Sequence, residues 1–293
     1  MARRAPYRRS SPLRRVGRSL LVLLYAAGGL SGALLLLSAL GVVPDLRPSA
    51  ADEDPPTVAA SAPVETAADP TAPLDAVRLP LDALDGAAAD AVLGHDAVVV
   101  EVKAPDGSLG WMSEEPRSLA LGLSSGTPGR DDALRALTAT PELYTVAELS
   151  CLRDDALARA APELALLREN GAPWRDAAGL CWLDPAQEAV RDRLIALCRE
   201  LADLGFDELL LADLSLPTEG AVERIRPDAG RAEALEALAR AIGTALAGRD
   251  VTVSVVGVPD GGQSTGLLAA CGRVWAKAED AAALAAFAPS VVP

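Results

Sequence analysis

The sequence predicts an α/β domain, a (β/α) TIM-like barrel with six or seven strands, fewer than a full eight. Three observations predict it. Apolar runs of strand length alternate with helix-length segments across residues 74–293. Runs such as "VVVEVK" and "ELLLADL" are almost continuously apolar, as strands covered on both faces are. Helical segments stop at glycines, Gly171 and Gly205 among them. A doubly wound open sheet is the alternative reading of the same alternation.

The elements follow in order. "LDAVRLPL" reads as a short strand and "LDGAAADAVLG" as a short helix. "DAVVVEVK" is a buried strand, closed by the turn "APDGS". "RDDALRALTA" is a helix and "ELYTVAEL" a strand; "RDDALARAAPELALLREN" is irregular to helical. "DPAQEAVRDRLIALCRELADLG" is the clearest helix. Asp184 is placed to cap it, Pro185 to take the first turn, and Ala189, Leu194, Ile195, Leu197, Cys198 and Leu201 to supply its apolar side. "DELLLADL" is the next strand, "DAGRAEALEALARAIGTALAG" a helix and "DVTVSVVGV" a strand. "GRVWAKA" is a strand, "DAAALAAFA" a short helix and "SVVP" a last strand. "PDGGQSTG" lacks the lysine of a phosphate-binding loop and reads as a plain loop.

Upstream of this domain, three segments differ in composition. Residues 1–18 hold seven arginines and no acid, and read as a basic cytoplasmic tail. Residues 19–43 form an uncharged run of 25, long enough for a transmembrane helix of roughly 20 residues. With the arginines before it and Asp45 after it, the positive-inside rule puts the C-terminal domain outside the cytoplasm. The length of the run favours an uncleaved anchor over a signal peptide. Residues 44–73 are rich in Pro, Ala and acids without periodicity, and read as a disordered linker.

Charge narrows the partners. The formal charge is −14, so the chain beyond its seven leading arginines carries −21. Such a body disfavours nucleic acid and anionic surfaces, which require clustered Lys and Arg, and suits a neutral ligand. Lysine occurs only at Lys103 and Lys277. One histidine, His95, and four cysteines without C-x-x-C spacing argue against a metal site or a histidine triad, and no cofactor is expected.

The stretches "VVVEVKAPDGSLGW", "GAPWRDAAGLCWLDPAQEAVRDRLIALCRELADLGFDELLL" and "LSLPTEG" carry a further signal. Together they resemble the DUF4015 family of bacterial, glycoside-hydrolase-like TIM-barrel proteins. The matching residues are Val102, Lys103, Gly107, Gly171, Trp174, Asp176, Gly179, Trp182, Pro185, Gly205, Phe206, Asp207, Glu208 and Pro217. The resemblance implies a domain that binds or hydrolyses a carbohydrate, here a cell-envelope polymer. The family pattern continues as an acid, an aromatic and an arginine at the strand end. Aligned without gaps, Ala212 stands at the acid, Asp213 at the aromatic and Ser215 at the arginine. Strand side chains alternate, so Asp213 is expected to face away from the lumen unless a bulge restores it. A catalytically inactive binding or scaffold module is therefore the alternative.

Glycosidases use two carboxyl groups. Glu101 and Glu148, at predicted strand ends, are the candidate catalytic pair. Lys103 is two residues past Glu101, so alternation predicts a shared face and an ion pair. Lys103, Trp111, Asp154, Trp182 and Asp213 are the candidate substrate contacts, with Asp106 and Asp184 as further loop acids. Tryptophans stack on sugar rings but also anchor loops, the expected role of Trp182. Cys151 and Cys181 fall on predicted loops of one end and are the candidate disulfide; Cys198 reads as a packed thiol.

Overall fold

In the computed structural model, the structure describes residues 76–86, 88–124, 126–277, 279–285 and 291–292. The expected tail, membrane span and linker lie outside these. Among the described residues, no helix is long and apolar enough to cross a membrane.

Among the described residues, seven strands form one sheet: β1 (Ala76–Leu79), β2 (Ala97–Lys103), β3 (Tyr144–Ser150), β4 (Glu208–Ala212), β5 (Thr252–Val256), β6 (Arg273–Trp275) and β7 (Val291–Val292). All neighbours pair in parallel, in the order β1-β2-β3-β4-β5-β6-β7. A doubly wound sheet must reverse its order at the midpoint. Uninterrupted sequential order is the winding of a barrel, here open between β1 and β7 among the described residues.

The two faces of the sheet are chemically distinct. One face, with Val98, Val100, Val102, Ala147, Leu149, Leu209, Leu211, Val255 and Val274, packs on helix residues such as Leu134, Leu194, Leu197 and Leu238. The concave face carries Ala97, Val99, Tyr144, Val146 and Leu210, with Val256 and Trp275 against them. The helix Glu188–Leu204 shows how the helix layer is attached. Val190, Leu194, Leu197, Cys198, Leu201 and Leu204 recur at three- and four-residue steps and are buried. Gly205, at φ 94°, ends the helix in a left-handed turn that disfavours a Cβ. Each such leucine contributes about 1.5–3 kcal/mol by burial, and Leu194→Ala would cost about 2–5 kcal/mol.

Some expected elements change. The helix begins at Glu188, with Gln187 as its N-cap. Asp184 instead accepts from Ala186 N (3.1 Å) and pairs with Arg231 at 3.1 Å, so it does not cap this helix. The segment expected as the helix "LDGAAADAVLG" holds only the end of a 3-10 turn, Leu81–Asp85, and a helix of one turn, Ala88–Ala91. Two short helices arise that periodicity does not show. Pro116–Leu121 is capped by the Glu115 carboxylate on Arg117 N and Ser118 N. Thr265–Ala270 is capped by Ser264 on Leu267 N.

Candidate active site

The concave face ends, at the C-terminal side of the strands, in three carboxylates. Glu101 and Glu148 are direct ladder partners on β2 and β3. Neighbouring strands lie about 4.8 Å apart, so their side chains emerge side by side. Along β3, Tyr144, Val146, Glu148 and Ser150 alternate onto this face. The third carboxylate is Asp213, immediately after β4.

Register alone turns Asp213 away from the lumen; the structure does the opposite. Ala212 is the ladder partner of Ser150, and the chain then enters the left-handed region at Asp213, φ 51°. That conformation is costly for most L-residues and tolerated by Asp. It brings the carboxylate back to the concave side, where Ser150 Oγ meets Asp213 Oδ2 at 2.5 Å. The Ser150 hydroxyl also lies 2.9 Å from the carbonyl of Arg153. Beyond Asp213 the backbone is fixed by Gln263. Its amide donates to Leu214 O (3.0 Å) and Val256 O (2.9 Å), and its Oε1 accepts from Val258 N (2.8 Å). The glycine-rich "PDGGQSTG" is thus a clamp between the ends of β4 and β5.

Glu148 is buried, and its carboxyl is held above its ordinary pKa. Burial is the main cause; the charges of Glu101 and Asp213 add to it, and Arg78 opposes it. Arg78 reaches over from β1 to within 3.0 Å of Glu148 Oε2. That contact is an ion pair without hydrogen-bond alignment, since the same oxygen is buried with no hydrogen-bond partner. Arg78 is 62% exposed, so water screens much of its effect.

The expected Glu101–Lys103 pair is absent, because β2 bulges. Glu101 pairs with Glu148, yet Lys103 pairs with Leu149, so two residues of β2 oppose one step of β3. The extra residue turns Lys103 off the concave face. It is wholly buried, with Nζ 2.6 Å from Ser150 O and 3.1 Å from Asp154 Oδ2. Asp154 also accepts from Arg193 (2.8 Å) and caps the helix Asp155–Ala160 through Leu157 N (3.0 Å). Glu115 completes the cluster, 3.3 Å from Arg193. Two cations and two anions cancel, which makes their burial tolerable. Burial pushes Lys103 down, opposed by Asp154. Burial pushes Asp154 up, but Lys103, Arg193 and the Leu157 N–H outweigh it and leave it lowered. Gly107, at φ 97°, lets the turn close over Asp154: a Cβ there would sit 2.4 Å from Asp154 Oδ1. Lys103 and Asp154, expected as substrate contacts, are therefore enclosed.

Trp111 is also enclosed, 2% exposed, with Nε1 donating to Glu200 at 2.8 Å. It packs inside the domain and offers no face to a sugar. The "WRDAAGLCW" run folds around Asp176, which accepts from Ala178 N and Leu180 N (2.9 Å each) on one oxygen. The other takes Arg153 Nε (2.7 Å) and Trp182 Nε1 (3.1 Å). Trp174 is buried and donates to Ala221 O at 2.9 Å. The tryptophans at both ends of this run are anchors, and the run shapes the loop next to Ser150. Cys151 and Cys181 are both buried free thiols, as are Cys198 and Cys271, so the expected disulfide is absent.

A second cluster on the concave face was not singled out from sequence. Glu208, wholly buried, accepts from Tyr144 OH (2.7 Å), Arg273 (2.8 Å) and Trp275 Nε1 (2.7 Å). It sits at the N-terminal end of β4, the end of such sheets that serves stability. Its signal was available: an acid alternating with Leu210 and Ala212 must find an inward cation, and Arg273 shares the alternation of Trp275.

Comparison with known proteins adds the family. A search of curated proteins finds no match. A crystal structure of a hypothetical protein from Ruminiclostridium thermocellum is 25% identical, with TM-score 0.52, covering 61% of this chain and 96% of its own. TtGalA, an α-galactosidase from Thermus thermophilus, is 17% identical, with TM-score 0.42, and the match covers 75% of this chain but 46% of that enzyme. The glycoside hydrolase domain of PelA from Pseudomonas aeruginosa is 15% identical, with TM-score 0.37, covering 70% of this chain and 66% of its own. The family profile described as "Putative glycosyl hydrolase domain" matches residues 89–257, which hold β2 to β5, Glu101, Glu148, Asp213 and the tryptophan run. That match spans more than half of the 293 residues, and the chain belongs to the DUF4015 family.

Proposed function

We propose that this chain is a membrane-anchored, extracytoplasmic glycoside hydrolase that acts on a cell-envelope polysaccharide, with Glu148 as general acid and Asp213 as its partner base. One observation carries the reading: three carboxylates converge at the C-terminal mouth, and one of them, Glu148, is pushed toward its protonated form. A carboxyl group raised by burial beside other carboxylates is the setting of a general acid. Glu101 acts through its charge, which adds to the upward shift of Glu148. Ser150 lies two residues beyond Glu148, about 6.6 Å along the strand. Asp213, bound at Ser150, is near enough for its charge to act on Glu148, as paired carboxyl groups of a glycosidase do. The acidic body favours a polymer without anionic groups. The basic tail, the apolar run and the linker support anchoring, with the domain outside the cytoplasm.

Binding without hydrolysis is the second reading. Ala212 at the family's acid position favours it, as does Arg78, whose charge stabilises the ionised form of Glu148. Turnover separates the two. Full-length protein in detergent would be applied to a glycan array, and the bound polymers assayed for release of reducing ends. About 10²–10⁴-fold loss of turnover is expected on Glu148→Gln or Asp213→Asn. Hydrolysis indifferent to both substitutions would sink the assignment; binding with no turnover would establish the second reading.

A further inference from the structure

We propose that Trp275 forms a stacking subsite for the C–H face of an uncharged pyranose ring, one sugar unit or more away from the carboxylates. This rests on the carbohydrate reading above. The ladder places it: Ser150 pairs with Ala212, Leu211 with Val255, and Val256 with Trp275. Continued by one residue, these registers put the backbone of Trp275 on the row of Ser150, Ala212 and Val256, while its indole reaches back from that row toward Glu208, four residues before Ala212 on β4. Three strand steps span about 14 Å of arc, too far for one ring to touch both ends of the row.

Trp275 differs from the other tryptophans in exposure. Trp111, Trp174 and Trp182 are 2%, 1% and 8% exposed, whereas Trp275 is half-buried on the lumen side. Its polar edge is already satisfied, because Nε1 donates to Glu208. With that nitrogen engaged, the rest of the indole is carbon. Glu208 is itself held by Tyr144 and Arg273, and the Arg273 guanidinium lies 6.0 Å from the ring centre. A ring fixed by a buried carboxylate loses little freedom when a ligand arrives. The electron-rich face of an indole attracts C–H bonds that neighbouring oxygens have made positive. The subsite falls beyond residues 89–257, in a part of the sheet that the family match does not reach.

The test uses full-length protein in detergent with 5-fluorotryptophan at its four tryptophans. Fluorine NMR follows titration with a cello-oligosaccharide, a chito-oligosaccharide, stachyose and any hit from the glycan array. The resonance of Trp275, assigned with Trp275→Phe, is expected to shift saturably while the buried three stay in place. Trp275→Ala should weaken binding about tenfold, and Trp275→Phe should retain most of it. The wild-type titration stands even where Trp275→Ala fails to fold. Binding that leaves the Trp275 resonance unmoved would overturn the subsite and spare the carbohydrate reading. No binding to any of these glycans would overturn both.

Discussion

Replacing Asp154 by Asn keeps its shape and removes its charge from the most enclosed ion cluster of the domain. Asp154 is wholly buried, 3.1 Å from Lys103 and 2.8 Å from Arg193. Arg193 keeps Glu115 at 3.3 Å, so the loss falls mainly on Lys103, which is left with the neutral carbonyl of Ser150. Breaking one side of a buried pair costs about 3–5 kcal/mol. For a domain of this size that lowers Tm by roughly 6–20 °C. Lys103 has an escape, because a buried lysine can shed its proton. Its folded pKa lies below the ordinary value, so the unfolded chain binds more protons between the two values. Stability of the variant should therefore rise with pH through that window, and the deficit should shrink toward alkaline pH. Lys103→Met in the same background should recover part of the loss. Thermal unfolding followed by circular dichroism at a series of pH values measures all of this. A Tm within about 2 °C of wild type, flat with pH, would refute a structural cluster and return Asp154 to the list of ligand contacts.

Other expectations concern the mouth, the thiols and the linker. Glu148 has a raised folded pKa, so the stability it contributes is complete below its unfolded value and is lost as pH rises through the folded value. Glu148→Gln should accordingly leave Tm at neutral pH unchanged or higher while abolishing turnover; a marked fall in Tm would show that the Arg78 contact matters more than burial. The cysteines should be silent to a thiol reagent in the native protein and all four reactive after unfolding. Burial pushes Cys181 and Cys271 up to about 11 and Cys198 up to about 12. Recovery of a Cys151–Cys181 peptide under non-reducing conditions would contradict this. Limited proteolysis should cut within residues 44–73 first and leave a stable fragment of about 220 residues; a first cut within the β2–β5 region would contradict that order.

The sheet was legible because β2, β3 and β4 announce themselves as continuous apolar runs, and because Gly205 marks a helix end where the structure has it. The helix Pro116–Leu121 was not, since Glu115 and Pro116 set its start without periodicity behind them. At the site, Glu101 and Glu148 could be placed because each lies near the end of a legible strand, β2 or β3. Lys103 did not, because a bulge at Val102 breaks alternation without leaving a mark in composition. Asp213 was misplaced for a related reason: a left-handed backbone at a residue other than glycine depends on neighbours such as Ser150 and the Gln263 clamp. Trp111 and Asp154 read as substrate contacts because their partners, Glu200 and Arg193, lie far away along the chain.

A closed barrel owes its radius to closure, as an arch does to its keystone. This sheet ends at β1, four residues, and β7, two residues, and has no such constraint among its described residues. Something else must keep it bent. The bonds of Glu208 to Tyr144 on β3, Arg273 and Trp275 on β6, and its own anchorage in β4 act as a tie-rod across the inside of the curve. Cutting the tie, as in Glu208→Leu, would let the arc relax and widen the span between Trp275 and the carboxylates. The distance over which this protein could grip a polymer is in that sense a mechanical property, set by one acid at the far end of the trough from the chemistry.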